Sequence, residues 1–144
     1  MKIKKVYHMG IPVDDIDRAQ DFYTNVLGLQ FMGRTGGNHN NPDAVVIHGK
    51  VARLARLMCG SDEVVLFERP RALQKDHLNQ DGIAHQAFEM DIKDYEDALK
   101  TAREIGKFHR IVERGSGKTI YMFDSEGNYL ELHFSTGKEG RAEA

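Results

Sequence analysis

Apolar residues along the chain follow two periods, and each period occurs twice. Ile16, Ala19, Phe22, Tyr23, Val26 and Leu27 recur at the spacing of one helical face, as do Tyr95, Ala98, Leu99, Ala102 and Ile105. Each series predicts an amphipathic helix. An aspartate stands where a side chain would accept from the free amides of the first turn, Asp14 or Asp15 in one series and Asp91 or Asp94 in the other. A glycine, Gly28 or Gly106, follows at the left-handed position after the last turn. Around the helices the period drops to two. In HMGIPV the alternation puts His8, Gly10 and Pro12 on one face and Met9, Ile11 and Val13 toward the helix. In YLELHF, Leu130 and Leu132 point to the core and Tyr129, Glu131 and His133 away from it. His85, Ala87 and Glu89 share a face opposite Phe88 and Met90. Further strands are predicted at Leu29–Arg34, Ala44–His48, Val51–Met58 and Glu63–Arg69, and at Lys107–Glu113, Lys118–Phe123 and Tyr129–Phe134.

The two series are copies of one unit. YHMGIPVDDIDRAQDFYTNVLGLQ, from Tyr7, and AHQAFEMDIKDYEDALKTAREIGKF, from Ala84, share a register in which His8 and His85 are 77 positions apart. Asp14 and Asp91, and Asp17 and Asp94, keep the same offset. An α+β fold is therefore expected: a single domain over 1–136, built of one module over about 1–72 and a second over about 82–136. Residues 137–144 form a polar tail, and the first module carries extra residues around Gly36–Lys50 that suit a longer loop.

Composition narrows the function classes. The chain has 144 residues, with 20 basic against 22 acidic side chains and a formal net charge of −2, so the basic excess of a nucleic-acid binder is missing. No apolar stretch approaches the roughly 20 residues of a membrane span. The start MKIKKVYHMGIPVDD has no apolar block ending in a cleavage site, so no signal peptide is expected. A single cysteine, Cys59, rules out an internal disulfide, and its neighbours Leu57 and Met58 suggest a buried thiol in a reducing, cytoplasmic compartment. Seven histidines are the conspicuous supply of reactive side chains.

A strand opening with His, an acidic turn and a helix ending at glycine, repeated once, resembles the vicinal-oxygen-chelate superfamily of glyoxalases, bleomycin-resistance proteins and extradiol dioxygenases. The segment FDSEGNYLELH is similar to that family's F-x-D-P-x-G-N-x-x-E-L pattern, with Ser125 in place of proline. The resemblance runs from about Lys2 to Phe134. It implies two βαβββ modules whose curved mixed sheets enclose one metal-binding cleft. It also implies ligands on the first strand of each module and the last strand of the second, which are His8, His85 and Glu131 here. Two imidazoles and a carboxylate suit Fe(II) or Mn(II), and also accept Ni(II) or Zn(II), leaving positions open for substrate. The alternative is a metal-free relative that keeps these residues as cavity polars. Bleomycin-sequestering members lack the triad, so its presence argues against pure binding.

Glyoxalase-type members carry a fourth ligand on the last strand of module one, here EVVLFERP. Counting back from the second histidine reaches Phe67, and a slip of one residue reaches Glu68, which would otherwise pair with Arg69 or Arg71. The apolar run Val64–Phe67 leaves the register open. IYMFDSEGNYLE resembles the ring-cleaving dioxygenase signature, which implies that Tyr121 lies beside the metal and hydrogen-bonds the substrate. The histidine which that signature carries a few residues upstream is replaced by Glu113 and Arg114, with His109 farther back. His133 shares the face of Glu131 and is a candidate base, while His39, His48 and His77 read as solvated. Lys4, Lys5, Arg53, Arg56, Arg69 and Arg71 are cations suited to steering an anionic substrate.

The expected function is that of a metal-dependent enzyme acting on a small molecule chelated through two vicinal oxygens, dioxygenase-like first. A glyoxalase- or epimerase-like isomerase or lyase, with Glu68 or Glu131 moving a proton, comes second. A sequestering protein without turnover comes third. The family resemblance further implies a homodimer.

Overall fold

A computed structural model describes residues 1–36, 46–47, 49–68, 85–115 and 117–135. His39, His48, His77, Arg69, Arg71 and the polar tail lie outside the described residues, as does most of the loop expected around Gly36–Lys50. The chain divides into two compact units, Met1–Asp76 and His77–Ala144.

Unit one runs β1 (Met9–Val13), α1 (Ile16–Asp21), β2 (Gln30–Gly36), β3 (Val46–Ile47), β4 (Lys50–Val51), β5 (Arg53–Cys59) and β6 (Asp62–Glu68). Its main sheet has the order β1-β6-β5-β2, with β1 parallel to β6 and the other pairs antiparallel. The short β3 and β4 pair only with each other. Unit two runs β7 (Gln86–Asp91), a 3-10 turn (Ile92–Asp94), α2 (Tyr95–Glu104), β8 (Phe108–Arg114), β9 (Gly117–Phe123) and β10 (Tyr129–Ser135). Its sheet order is β7-β10-β9-β8, again with one parallel pair, β7 with β10. The expected α+β fold of two βαβββ modules is what the chain adopts, with the β3–β4 hairpin as the addition to the first. Among the described residues no helix is long and apolar enough to cross a membrane.

Alternation decides what each sheet buries. In unit one Ile11 and Val13 of β1, Val64 and Leu66 of β6 and Ala55 and Leu57 of β5 meet Ile16 and Ala19 of α1 and Tyr23 just after it, all essentially inaccessible to water. In unit two Phe88, Ile120, Met122, Leu130, Leu132 and Phe134 are buried with Tyr95, Leu99 and Ala102 of α2, and the Tyr95 and Phe134 rings meet edge to face at 5.2 Å. Val26 departs from the expected helical face and is exposed. The reason is local. After Asp21 the helix widens into a π-helical stretch, Phe22–Val26, in which the Leu27 amide reaches the Phe22 carbonyl at 3.1 Å. The Thr24 hydroxyl donates back to the Gln20 carbonyl at 2.8 Å and the turn rotates Val26 off the face.

The helix ends follow the expectations in part. Asp15 accepts from the Arg18 amide at 3.0 Å, while neither Asp91 nor Asp94 makes a side-chain cap bond. The 3-10 turn takes that role in unit two, its Ile92 carbonyl accepting from the Tyr95 amide. Gly28 and Gly106 adopt φ of 76° and 70°, the left-handed geometry expected of them. α1 has a second anchor. Glu68 accepts from Arg53 Nε at 3.0 Å and Nη2 at 2.7 Å, and from the Ile16 amide at 3.4 Å, so one carboxylate ties β5 and β6 to the start of the helix.

Two stability predictions follow from this packing. At Gly117, φ is 151° and an added Cβ would lie 2.1 Å from the Phe134 carbonyl oxygen. Gly117→Ala should therefore cost at least about 2 kcal/mol in urea unfolding, and an unchanged midpoint would refute the clash. Arg53 holds the Glu68 carboxyl below the usual 4.5, against a smaller opposing push from burial. A depressed folded-state value contributes stability above the unfolded value, and that stability is lost as pH falls through the folded one. Glu68→Gln should thus destabilise by about 1–3 kcal/mol at pH 7. The gap to wild type should close as pH drops below about 4.5, in parallel unfolding curves.

Candidate metal centre

The parallel register of unit two decides which side chains meet. Ala87 lies beside Glu131, Phe88 beside Leu132 and Glu89 beside His133. Since Phe88, Leu130 and Leu132 face the helix, the opposite face carries Ala87 and Glu89 of β7 and Tyr129, Glu131 and His133 of β10. His85 precedes β7 directly and continues this alternation. Its Nε2 lies 3.4 Å from Glu131 Oε1, with the His85 side chain 31% and the Glu131 side chain 15% exposed. Two donors about 2.1 Å from one ion, subtending about 90–110°, stand about 3.0–3.4 Å apart, so the pair fits a shared coordination sphere.

The next strand supplies Tyr121, directly across from Glu131, and Thr119, directly across from His133. Tyr121 is buried and its ring stacks on Tyr129, 5.4 Å between centroids and 10° between planes. His85 meets both rings edge-on, at 6.2 Å from Tyr121 and 6.5 Å from Tyr129. Beyond them β8 brings up two arginines. Arg114 donates from Nη2 to the Tyr121 hydroxyl and from Nη1 to Thr119 Oγ1, both at 3.3 Å. Thr119 Oγ1 also hydrogen-bonds His133 Nδ1 at 3.2 Å, so a chain of polar contacts runs from His133 to Tyr121. The Arg110 guanidinium lies over the Tyr121 ring, 4.9 Å from its centroid. The Tyr121 hydroxyl, aided by Glu131, raises the pKa of Arg114. Burial pushes the Tyr129 phenol up, while Arg110 pulls it down.

Sequence reasoning missed Arg110 as a member of this face and set His109 aside. Both arrive through a bulge: Phe108 pairs with Met122 and Arg110 with Tyr121, leaving His109 as the extra residue. A bulge breaks the two-residue alternation from which faces are read. The duplication held a clue, because β2 has the same bulge between Phe31 and Gly33, with Met32 in the place of His109.

In unit one His8 stands exposed just before β1, its ring tilted against Tyr7 at 5.3 Å. Gly10, beside Val65 in the pairing, occupies the place of Ala87, so Val65 takes the place of Glu131. The carboxylate that feels His8 is Glu63. It accepts from Arg56 Nε and Nη2 at 3.1 Å each, and Arg56 first, with His8 adding, holds it below the ordinary carboxylate range. Glu68 lies beside Val13, on the helix side of β6 with Leu66, and Phe67 lies beside Pro12 on the other face. The register that alternation left open is thereby read, and the Glu68 carboxylate is engaged by Arg53 and α1. Within unit two, among the described residues, His85 and Glu131 form a pair and no third His, Cys, Asp or Glu joins them.

Known proteins resemble this chain over nearly its whole length. The family model described as the Glyoxalase/Bleomycin resistance protein/Dioxygenase superfamily matches residues 5–132. The glutathione transferase FosA of Serratia marcescens is 23% identical over 131 residues, covering 91% of this chain and 81% of that protein. Among solved structures, the fosfomycin resistance protein FosX of Mesorhizobium loti is 19% identical, with a TM-score of 0.67 over 98% of this chain and 99% of that one. A mutant FosX of Listeria monocytogenes is 16% identical, with a TM-score of 0.72 over 99% of this chain and 100% of that one, and holds Mn(II) and 1S,2S-dihydroxypropylphosphonic acid.

Proposed function

Since this chain belongs to the Glyoxalase/Bleomycin resistance protein/Dioxygenase superfamily, we propose that it is a divalent-metal-dependent enzyme acting on a small substrate that carries an oxyanion and two neighbouring oxygens. The observation behind this reading is the His85–Glu131 pair at 3.4 Å, with Tyr121 across from Glu131 and two arginines beside it. The proposal takes His85 and Glu131 as ligands and His8 as the third, on the strength of the duplicated histidine register. Mn(II) in a FosX relative supports a hard divalent ion of this kind. Glu68 is left out because its carboxylate already binds Arg53 and the Ile16 amide.

The chain's own residues then divide the work. Arg110 and Arg114 offer planar guanidinium forks to an oxyanion such as a phosphonate, a recognition that suits arginine better than lysine. Arg114 fixes the Tyr121 hydroxyl so that its remaining lone pair and proton face away from the guanidinium. The buried, mutually stacked Tyr121 and Tyr129 lie together on one side of the His85 ring and shield it from water there. A divalent ion bound there would supply Lewis-acid stabilisation of negative charge developing on two substrate oxygens. The FosA and FosX relatives support a phosphonate substrate, and the duty of the arginines is then to hold the group that does not react. A second reading, oxygen-dependent cleavage, draws support from Tyr121 standing across from Glu131.

Four measurements test these readings. His85→Ala should lose Mn(II) binding while retaining a native unfolding transition, and full metal retention would overturn the ligand assignment. With Mn(II) supplied, fosfomycin should be converted, with water or a thiol as co-substrate, in a phosphorus NMR assay. Substrate-dependent oxygen uptake without such conversion would favour the dioxygenase-like reading instead. Arg114→Ala should raise KM for an anionic substrate at least about tenfold, by the loss of a charge-assisted hydrogen bond, and an unchanged KM would remove that arginine from substrate binding.

A further inference from the structure

His109 has no part in the reading above, yet the bulge in β8 delivers it to the same aromatic group. Its Nδ1 lies 2.5 Å from the Tyr129 hydroxyl, and its ring stands 5.3 Å from Tyr129 and 5.8 Å from Phe123. Whichever of the two groups carries the shared proton, the bond joins the His109 ring to the Tyr129 hydroxyl. Tyr129 is thus pinned at its hydroxyl by His109, and Tyr121, stacked on it, is pinned at its hydroxyl by Arg114. The two rings bear on His85 at centroid distances of 6.5 Å and 6.2 Å and interplanar angles of 73° and 67°. Among the described residues the His85 ring meets the Glu131 carboxylate at Nε2 and the two tyrosine rings beside it, and the rings are the contacts that bear on the plane of the imidazole.

We propose that His109 is a positioning residue: through the Tyr129 hydroxyl it locks the Tyr121–Tyr129 stack, and the stack presets the His85 ring for metal binding. A ligand whose ring is already turned toward the ion loses less rotational freedom on binding, which appears as affinity. His109 itself touches neither Glu131 nor His85. It is exposed, and among the described residues its polar contact is the hydroxyl of the tyrosine that packs against the ligand. The bulge makes this possible. In the other unit the equivalent bulge carries Met32, whose side chain is half exposed and has no hydrogen-bonding group to offer.

The inference rests on His85 as a ligand, and two measurements separate the two ideas. In the metal-free full-length protein, the imidazole resonances of His85 should shift and broaden in His109→Phe and in Tyr129→Phe, which keep ring bulk but lose the hydrogen bond. His109→Gln, which can still reach the hydroxyl, should restore the wild-type signals. Mn(II) titration followed by electron paramagnetic resonance should show about a tenfold loss of affinity in each Phe variant, the lower end for loss of an outer-shell partner. The double variant should be no weaker than either single one. Unchanged His85 resonances in His109→Phe, with its amide spectrum native, would overturn the proposal. So would failure of His109→Gln to restore them, since the hydrogen bond would then not be the means. If instead His85→Ala keeps Mn(II), the metal reading falls, and the metal-free resonances still decide the clamp.

Discussion

Everything proposed for this chain depends on the parallel pairing of β10 with β7. One residue of slip along that pair would turn Glu131 into the core and bring Leu130 and Leu132 to the open face. The register holds because Leu130, Leu132 and Phe134 are all buried against α2 and its neighbours, with Phe134 edge-on to Tyr95. Apolar burial thus places a carboxylate 3.4 Å from an imidazole without any attraction between them being required. Gly117 serves the same pairing from the far side, since only a residue without Cβ can pass the Phe134 carbonyl there.

The two units share this architecture and have spent it differently. In unit one the positions matching Tyr121 and Glu131 are Arg56 and Val65, paired across β5 and β6. Arg56 there turns to Glu63 in a two-pronged ion pair, and the apolar Val65 is buried. Unit one has placed its other charges on the helix side, where Arg53, Glu68, Asp17 and Arg34 lace α1 to β2, β5 and β6. Among the described residues no ion pair ties α2 to its sheet in unit two, which gathers tyrosines, arginines and histidines on the opposite face. One copy invests polar side chains in holding its helix. The other invests them in a surface that can do chemistry.

Most of the fold was legible because it rests on periodicity and on duplication. The helical faces, the glycines at φ near 70° and the in-out alternation of β1, β7 and β10 are local properties, and each appeared twice. What stayed hidden had non-local or irregular causes. The Val64–Leu66 run is buried on both faces of β6, so only its pairing with β1 shows that Glu68 looks toward the helix. The π-helical stretch in which Val26 is exposed comes with a Thr24 hydroxyl bond to the Gln20 carbonyl, and no pattern of apolar residues announces either. Of the site, Glu131 and His133 were visible as residues of one face and His85 as a residue of the matching face of its own strand, while Tyr121 was implied by the family resemblance. His109 was not, because its spacing from Glu131 in the chain is irrelevant once a bulge shifts β8 by one.

That bulge is the point at which the site's chemistry is most open to change. An ordinary strand would carry residues 109 and 110 on opposite faces, and the Tyr121–Tyr129 stack would receive one polar neighbour rather than two. With the bulge, His109 takes the Tyr129 hydroxyl while Arg110 covers the Tyr121 ring. A histidine and a guanidinium thereby act on adjacent phenols, and each phenol packs against the same imidazole. The bulge is present in unit one as well, beside Gly33 and Met32, where it positions nothing polar. The backbone irregularity is therefore common to both copies, and the function follows from which side chains occupy it. His109 and Arg110 stand where unit one has Met32 and Gly33, so the same irregularity carries two polar side chains in one copy and none in the other.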